Sequence, residues 1–225
     1  EKDFMNKLAF VFPGQGSQKI GMGKEFYDNT KRSKEIFDMA SDILHMDMKL
    51  LCFEENDKLN KTEYTQAALV TTCLAILETV YENGIFPSVT LGLSLGEYCA
   101  IAAAKGMKTR DAISVVRQRG ILMQNCVPLG VGAMSAVLGA DMKIVDDILK
   151  DMKNVSVANY NCPGQIVITG AKEEVKLAGE RLLDAGARRV VPLNVSGPFH
   201  SSMLKEAGDR LEKVLEEIEI FPLKI

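Results

Sequence analysis

A serine enclosed by glycines, two histidines and an arginine among apolar neighbours are the residues of this chain that could do chemistry. Gly92-Leu93-Ser94-Leu95-Gly96 follows the short apolar run Val89-Thr90-Leu91 and opens onto Glu97-Tyr98-Cys99-Ala100-Ile101-Ala102-Ala103-Ala104, so the serine falls where a strand turns into an Ala-rich helix. That is the pattern of a nucleophile elbow, in which flanking glycines allow a tight turn with the hydroxyl at its tip. The amide of Leu95, on the first turn of the helix, would then point where an oxyanion forms. A serine hydroxyl needs a base to take its proton. His45, in Asp42-Ile43-Leu44-His45-Met46-Asp47, ends a helical stretch beside carboxylates and reads as a solvated or capping residue. His200, in Val195-Ser196-Gly197-Pro198-Phe199-His200-Ser201-Ser202, lies in a Gly-Pro loop between a strand and a helix. There it either packs under the loop at a helix start or acts as the base for Ser94.

Arg119 has Val115, Val116, Leu122 and Met123 as helical neighbours and so projects from an apolar face, where its charge needs a partner. That partner is either a buried carboxylate of this protein or a carboxylate on a ligand, which a guanidinium grips bidentately. Arg117 reads as solvated. The loop Phe12-Pro13-Gly14-Gln15-Gly16-Ser17-Gln18 has Lys19 where the third glycine of a dinucleotide-binding loop belongs, and no Gly-Lys-Ser/Thr follows. It is either a simple tight turn or a device that presents the Gln15 amide as a second oxyanion donor.

The elements that must position these residues alternate. Leu8–Phe12 is a continuous apolar run that predicts a buried parallel-sheet strand. Helices follow over Lys31–Ser41, with Ile36, Met39 and Ala40 on one face, and Gln66–Tyr81, with Leu69, Cys73, Ile76, Leu77 and Val80 at helical spacing. Ser88–Leu91 is the next strand, the elbow helix is stopped by Gly106, and Thr109 begins a helix running to Cys126. After Pro128-Leu129-Gly130 the order becomes strand, helix, strand, strand, helix, strand, ending in Arg189–Leu193. This is a ferredoxin-like unit that can be inserted into a larger α/β domain. A helix from Ser202 to Glu217 and a strand-like Ile218–Ile225 complete the chain. The expected division is a large α/β domain over 1–127, the insertion over 128–195, and a return to the large domain over 196–225. Ser94 and His200 flank the insertion, and a cleft between the two parts is where they are expected to meet.

A length of 225 residues with 47% hydrophobic content suffices for a sizeable core, and a net charge of -3 argues against general nucleic-acid binding. The five cysteines are odd in number and lack metal-ligand spacing, which fits a reducing compartment and no zinc site. No apolar stretch approaches the roughly 20 residues that span a bilayer, and the charged start Glu1-Lys2-Asp3 is unlike a signal peptide. A cytoplasmic protein with no membrane partner is expected.

Five motifs, Phe12-Pro13-Gly14-Gln15-Gly16-Ser17-Gln18, Gly92-Leu93-Ser94-Leu95-Gly96-Glu97-Tyr98, Arg119-Gly120, Asn161-Cys162-Pro163-Gly164-Gln165 and Gly197-Pro198-Phe199-His200-Ser201, stand in the order found in one family. Over essentially its whole length the chain resembles the malonyl-CoA:acyl carrier protein transacylases. The resemblance implies an α/β-hydrolase-like domain with a parallel sheet and a ferredoxin-like insertion. It implies Ser94 as the acylated nucleophile, His200 as its base, the Gln15 and Leu95 amides as the oxyanion hole and Arg119 as the malonyl carboxylate site. Phe199 looks like the malonyl-type choice of related polyketide acyltransferases. Malonyl-CoA is then a substrate and no cofactor is needed, and acyl carrier protein is the partner, with Arg188, Arg189 and Lys205 as basic docking candidates. Two departures stand out: Leu93 replaces a common histidine, and the family extends past the position of Ile225, where the residue orienting the histidine is expected. A serine thioesterase or hydrolase and a polyketide-type acyltransferase are the alternatives.

Overall fold

A computed structural model of the chain describes residues 7–193, 195 and 197–225; the start Glu1-Lys2-Asp3, and Ser196 of the loop before His200, lie outside them. The fold is mixed α/β, with a two-stranded parallel sheet and a four-stranded antiparallel one. Contacts divide it into two units, Glu1–Ile121 with Glu212–Ile225, and Leu122–Leu211.

The first unit runs β1 (Ala9–Phe12), α1 (Lys24–Asn29), α2 (Lys31–Leu44), α3 (Met48–Phe53), α4 (Thr62–Glu82), β2 (Val89–Gly92), α5 (Gly96–Ala103) and the start of α6 (Thr109–Cys126). Its centre is α4. The amphipathic stripe expected from the sequence is wider in the structure, because α2 and α5 both pack on this helix and bury it almost all round. Gln66, Ala67, Ala68, Leu74 and Ala75 are all 0% exposed. Phe37 of α2 reaches the same core and meets the rings of Tyr27 and Phe53.

Strands β1 and β2 pair in parallel from Ala9↔Val89 to Phe12↔Gly92, which brings the loops that follow them side by side. The expectation of a fully buried first strand is corrected: Phe12 is buried, but Val11 is 66% exposed. Among the described residues β1 pairs with β2 alone.

In the second unit β3 (Gly132–Leu138), α7 (Met142–Leu149), β4 (Val155–Cys162), β5 (Gln165–Ala171), α8 (Lys172–Asp184) and β6 (Arg189–Pro192) follow in the order read from the sequence. The strands lie in the order β4-β5-β3-β6 with every pairing antiparallel. Alternation along the strands fills both faces of this sheet. Val137, Ile166 and Ile168 face Val145, Val175 and Leu182 of the helices, whereas Met134 and Val167 form a second cluster with Phe199. A short 3₁₀ turn (Ser202–Leu204) leads into α9 (Lys205–Glu216).

Two local expectations are corrected. Helix α5 ends at Ala103, and the left-handed residue after it is Lys105 (φ 64°), not Gly106. Gly106 is instead crowded by Leu223, whose Cδ2 would lie 2.4 Å from an added Cβ. The tail forms no strand: Phe221 and Lys224 donate their amides to Gly106 and Ala104, the turn between α5 and α6, instead of to a sheet edge.

Gly208 is an exposed interior position of α9 with open space where a Cβ would stand. Glycine costs such a position about 0.5–1 kcal/mol relative to alanine. Gly208→Ala is expected to raise stability in urea unfolding by that amount, and a lowered midpoint would contradict this placement.

Candidate active site

At the end of β2 the chain must reverse into α5 within four residues. The Leu93 amide donates to the Phe12 carbonyl at 3.1 Å, and the Gly96 amide donates to the Leu93 carbonyl at 2.9 Å. An added Cβ on Gly92 would lie 2.0 Å from the Gly96 carbonyl carbon, and one on Gly96 would lie 2.3 Å from the Phe12 oxygen. Both glycines are therefore needed for close backbone approach. The left-handed conformation falls on Ser94 itself, with φ 51°. A serine held in that region at a strand-to-helix turn is the strained geometry of a nucleophile elbow.

The helix start supplies donors. The amides of Gly96, Glu97 and Tyr98 are taken by the carbonyls of Leu93, Ser94 and Leu95. Leu95, buried at the first position after the serine, offers its amide next to the reacting oxygen. Gly14 lies so close to the elbow that an added Cβ would be 3.0 Å from the Leu93 oxygen, so the loop carrying Gln15 borders Ser94.

Arg119 reaches the same place from α6. It is 8% exposed, donates from Nη2 to Ser94 Oγ at 3.0 Å and from Nη1 to Gln66 Oε1 at 2.8 Å, and lies 5.7 Å over the Tyr98 ring. Burial pulls its pKa below the usual arginine value, and Tyr98 and Glu97 act in the opposite sense. Among the described residues, no carboxylate forms an ion pair with it. Of the two partners considered for its charge, the protein's own carboxylate is thus replaced by neutral groups. Arg117, expected to be solvated, instead pairs with Glu63 at 3.1 Å and stacks on Tyr64, which ties α6 to the first turn of α4.

Ser94, Leu95, Gln15 and Arg119 are thus brought together in the first unit. Phe199 and His200 belong to the second. There Phe199 is packed with Met134 and Val167, while His200 is exposed and carries φ 60°. The Ser201 hydroxyl donates to the Pro198 carbonyl at 2.7 Å and accepts from the Met203 amide, which fixes the turn around His200. A left-handed non-glycine residue in an anchored loop is strain of the kind kept at functional sites. His45 is the C-cap of α2, its amide donating to the Ser41 carbonyl.

Sequence reasoning assigned no role to Gln66, Thr62 or Tyr98. Gln66 Nε2 donates to Gln15 Oε1 at 3.4 Å, and Gln15 Nε2 donates to Thr62 Oγ1 at 3.0 Å. The signal was present for Gln66: an amide beside Ala67-Ala68-Leu69-Val70 in a helix is a buried polar group, and such groups have partners. Among the described residues no cluster of His, Cys, Asp and Glu could hold a metal ion, and no helix is long and apolar enough to cross a membrane.

Residues 9–225 match the family described as acyl transferase domain. The malonyl CoA-acyl carrier protein transacylase of Bacillus subtilis (strain 168) is 46% identical over 221 residues, which cover 96% of this chain and 70% of that protein. The crystal structure of the Clostridium perfringens malonyl CoA-acyl carrier protein transacylase superposes with a TM-score of 0.91 at 44% identity, covering 96% of this chain and 70% of that one. A malonyl-transacylase solved in complex with its type II polyketide synthase acyl-carrier protein gives a TM-score of 0.93 at 41% identity, covering 97% and 72%.

Gly96→Ala would drive a methyl group into the Phe12 and Pro13 carbonyls. It is expected to cost about 2–4 kcal/mol in urea unfolding and to abolish labelling of Ser94 by a fluorophosphonate probe. Wild-type stability and labelling together would rule out this close approach.

Proposed function

We propose, from the premise that this chain belongs to the acyl transferase domain family, that it moves a malonyl group from coenzyme A to the phosphopantetheine thiol of acyl carrier protein. It is an acyltransferase of fatty acid synthesis. The observation that carries the assignment of the site is the buried Arg119 guanidinium, 3.0 Å from Ser94 Oγ and held by neutral partners. A cation next to a nucleophile asks for an acyl group that brings its own carboxylate.

Each residue has a step. Ser94 Oγ attacks the thioester carbonyl while His200 takes its proton, and the Leu95 and Gln15 amides receive the oxyanion. Collapse expels coenzyme A as its thiol, protonated by His200, and leaves malonyl-Ser94. His200 then takes the proton of the carrier-protein thiol, whose sulfur attacks that ester to form the malonyl thioester, and gives the proton to the departing Ser94 Oγ. Arg119 holds the malonyl carboxylate through both halves. In doing so it exchanges its bond to Ser94 Oγ for the anion and frees the hydroxyl to react. Phe199 remains the proposed acyl-size residue, seated by its packing on Met134 and Val167 beside His200.

The same reading carries the finer assignments. The strand order β4-β5-β3-β6 supports a ferredoxin-like unit, and the β1-elbow-α5 arrangement supports a hydrolase-like one. The division at 127 and 195 is kept as a proposal about the natural domain limits. Five free cysteines support the cytoplasm as compartment, and the chemistry calls for no cofactor beyond the coenzyme A thioester. Arg188 and Arg189 are exposed and suit docking of an acidic carrier protein; Lys205 suits it less, since Asp209 already holds its ammonium at 2.6 Å.

Brief mixing with malonyl-CoA is expected to add one malonyl group by intact mass, and Ser94→Ala to remove it. Persistence of the adduct in that variant would reject the nucleophile. His200→Ala should slow acylation by about three to four orders of magnitude, and His45→Ala should not. Equal losses would place the base elsewhere. Arg119→Ala should lower kcat/KM for malonyl-CoA by about a hundredfold more than for acetyl-CoA. A uniform loss would make the arginine a structural residue.

A further inference from the structure

Gln66 stands behind Arg119 in the centre of α4 and is 0% exposed. An arginine has only donors, so the face that Gln66 turns to Nη1 must be its oxygen, at 2.8 Å. Its amide nitrogen is thereby committed to Gln15 Oε1, and the Gln15 nitrogen to Thr62 Oγ1. Arg119 thus sets the polarity of a chain of amides that ends on the loop presenting the proposed second oxyanion donor. Every link in that chain is neutral.

Glutamate would fill the same volume and accept the same hydrogen bond more strongly. It would also cancel the charge of Arg119, leaving a closed ion pair where the site now holds an open cation. Other polar residues packed near the guanidinium are Tyr98 and Ser94, with Glu97 acting on it only at longer range. We propose that Gln66 is a specificity-determining positioning residue: its amide fixes Arg119 toward Ser94 without neutralising it, and the absence of charge at this position reserves the guanidinium for a carboxylated acyl group. This rests on the malonyl reading of the site.

The test compares self-acylation of the full natural protein by malonyl-CoA and by acetyl-CoA in wild type, Gln66→Glu, Gln66→Met and Arg119→Ala, with thermal unfolding of each. Gln66→Glu should lower the malonyl-to-acetyl ratio of kcat/KM about a hundredfold, the malonyl loss falling mainly on KM, while loss of the donor to Gln15 Oε1 slows both acyl groups alike. Gln66→Met keeps the volume and leaves the cation uncancelled, so it should retain most of the malonyl preference and lose kcat through a misplaced guanidinium. A malonyl-to-acetyl ratio in folded Gln66→Glu that equals wild type overturns the proposal. If Gln66→Glu does not fold, a Gln66→Met variant that loses the malonyl preference as fully as Arg119→Ala overturns it instead. If Arg119→Ala itself leaves the ratio unchanged, the malonyl reading fails, and that result is distinct from a failure confined to Gln66.

Discussion

The constraint on which the site depends is a single buried positive charge. Taking a guanidinium out of water is costly unless its donors are satisfied, and removing one partner of a buried charge leaves a penalty larger than the bond itself. At Arg119 the penalty is met by the Gln66 amide on one nitrogen, the Ser94 hydroxyl on the other and the Tyr98 ring alongside, with Glu97 favouring the charge from longer range. Acceptors of this kind stabilise the charge without extinguishing it. On the proposed reading a ligand carboxylate would gain both the Coulomb attraction and the bidentate geometry that an internal aspartate would have taken.

The elbow imposes the second constraint, which is steric. Gly96 packs against the Phe12 and Pro13 carbonyls with no room for a side chain, so the end of β1 and the start of α5 are in backbone contact. That contact brings together two segments some eighty residues apart in sequence, the two that carry the proposed oxyanion donors. The parallel pairing of β1 with β2 aligns their ends, and the loop carrying Gln15 emerges beside the turn carrying Ser94. Anchoring by backbone approach is stiffer than anchoring by side chains. It holds the strained φ of Ser94 together with the bonds that Ser94 accepts from the Arg119 guanidinium and the Glu97 amide.

Much of this was legible in the sequence because it follows from local chemistry. The elbow needed only the glycine spacing and the change of period from strand to helix. The second unit needed only its order of strands and helices, and Asp141, the first residue before α7, accepts from the Lys143 amide. Non-local features were harder to read. The exposure of Val11 depends on how many strands flank β1, which no periodicity in β1 encodes. Arg117 read as solvated because its partner, Glu63, lies on another helix. The tail Ile218–Ile225 has strand-like composition, yet its amides bond to the turn after α5. Gln66 shows the same limit from the other side: its burial could be inferred from its neighbours, but its bond to Arg119 appears only in the folded structure.

On the proposed reading, charge and volume would divide the work of selection. In the first unit the choice would be electrostatic, since an uncancelled cation discriminates strongly between an acyl group with a carboxylate and one without, the missing partner leaving buried donors unsatisfied. In the second unit Phe199, in its proposed role, would act by size, and a methyl group more or less in an apolar setting is worth about 1–3 kcal/mol at most. On that reading the stronger filter would sit on Arg119, carried by α6 and held by Gln66 of α4, and the weaker one on a loop. Gln66 at 0% and Arg119 at 8% exposure are both buried, so the bond between them is held where side chains have little room to move.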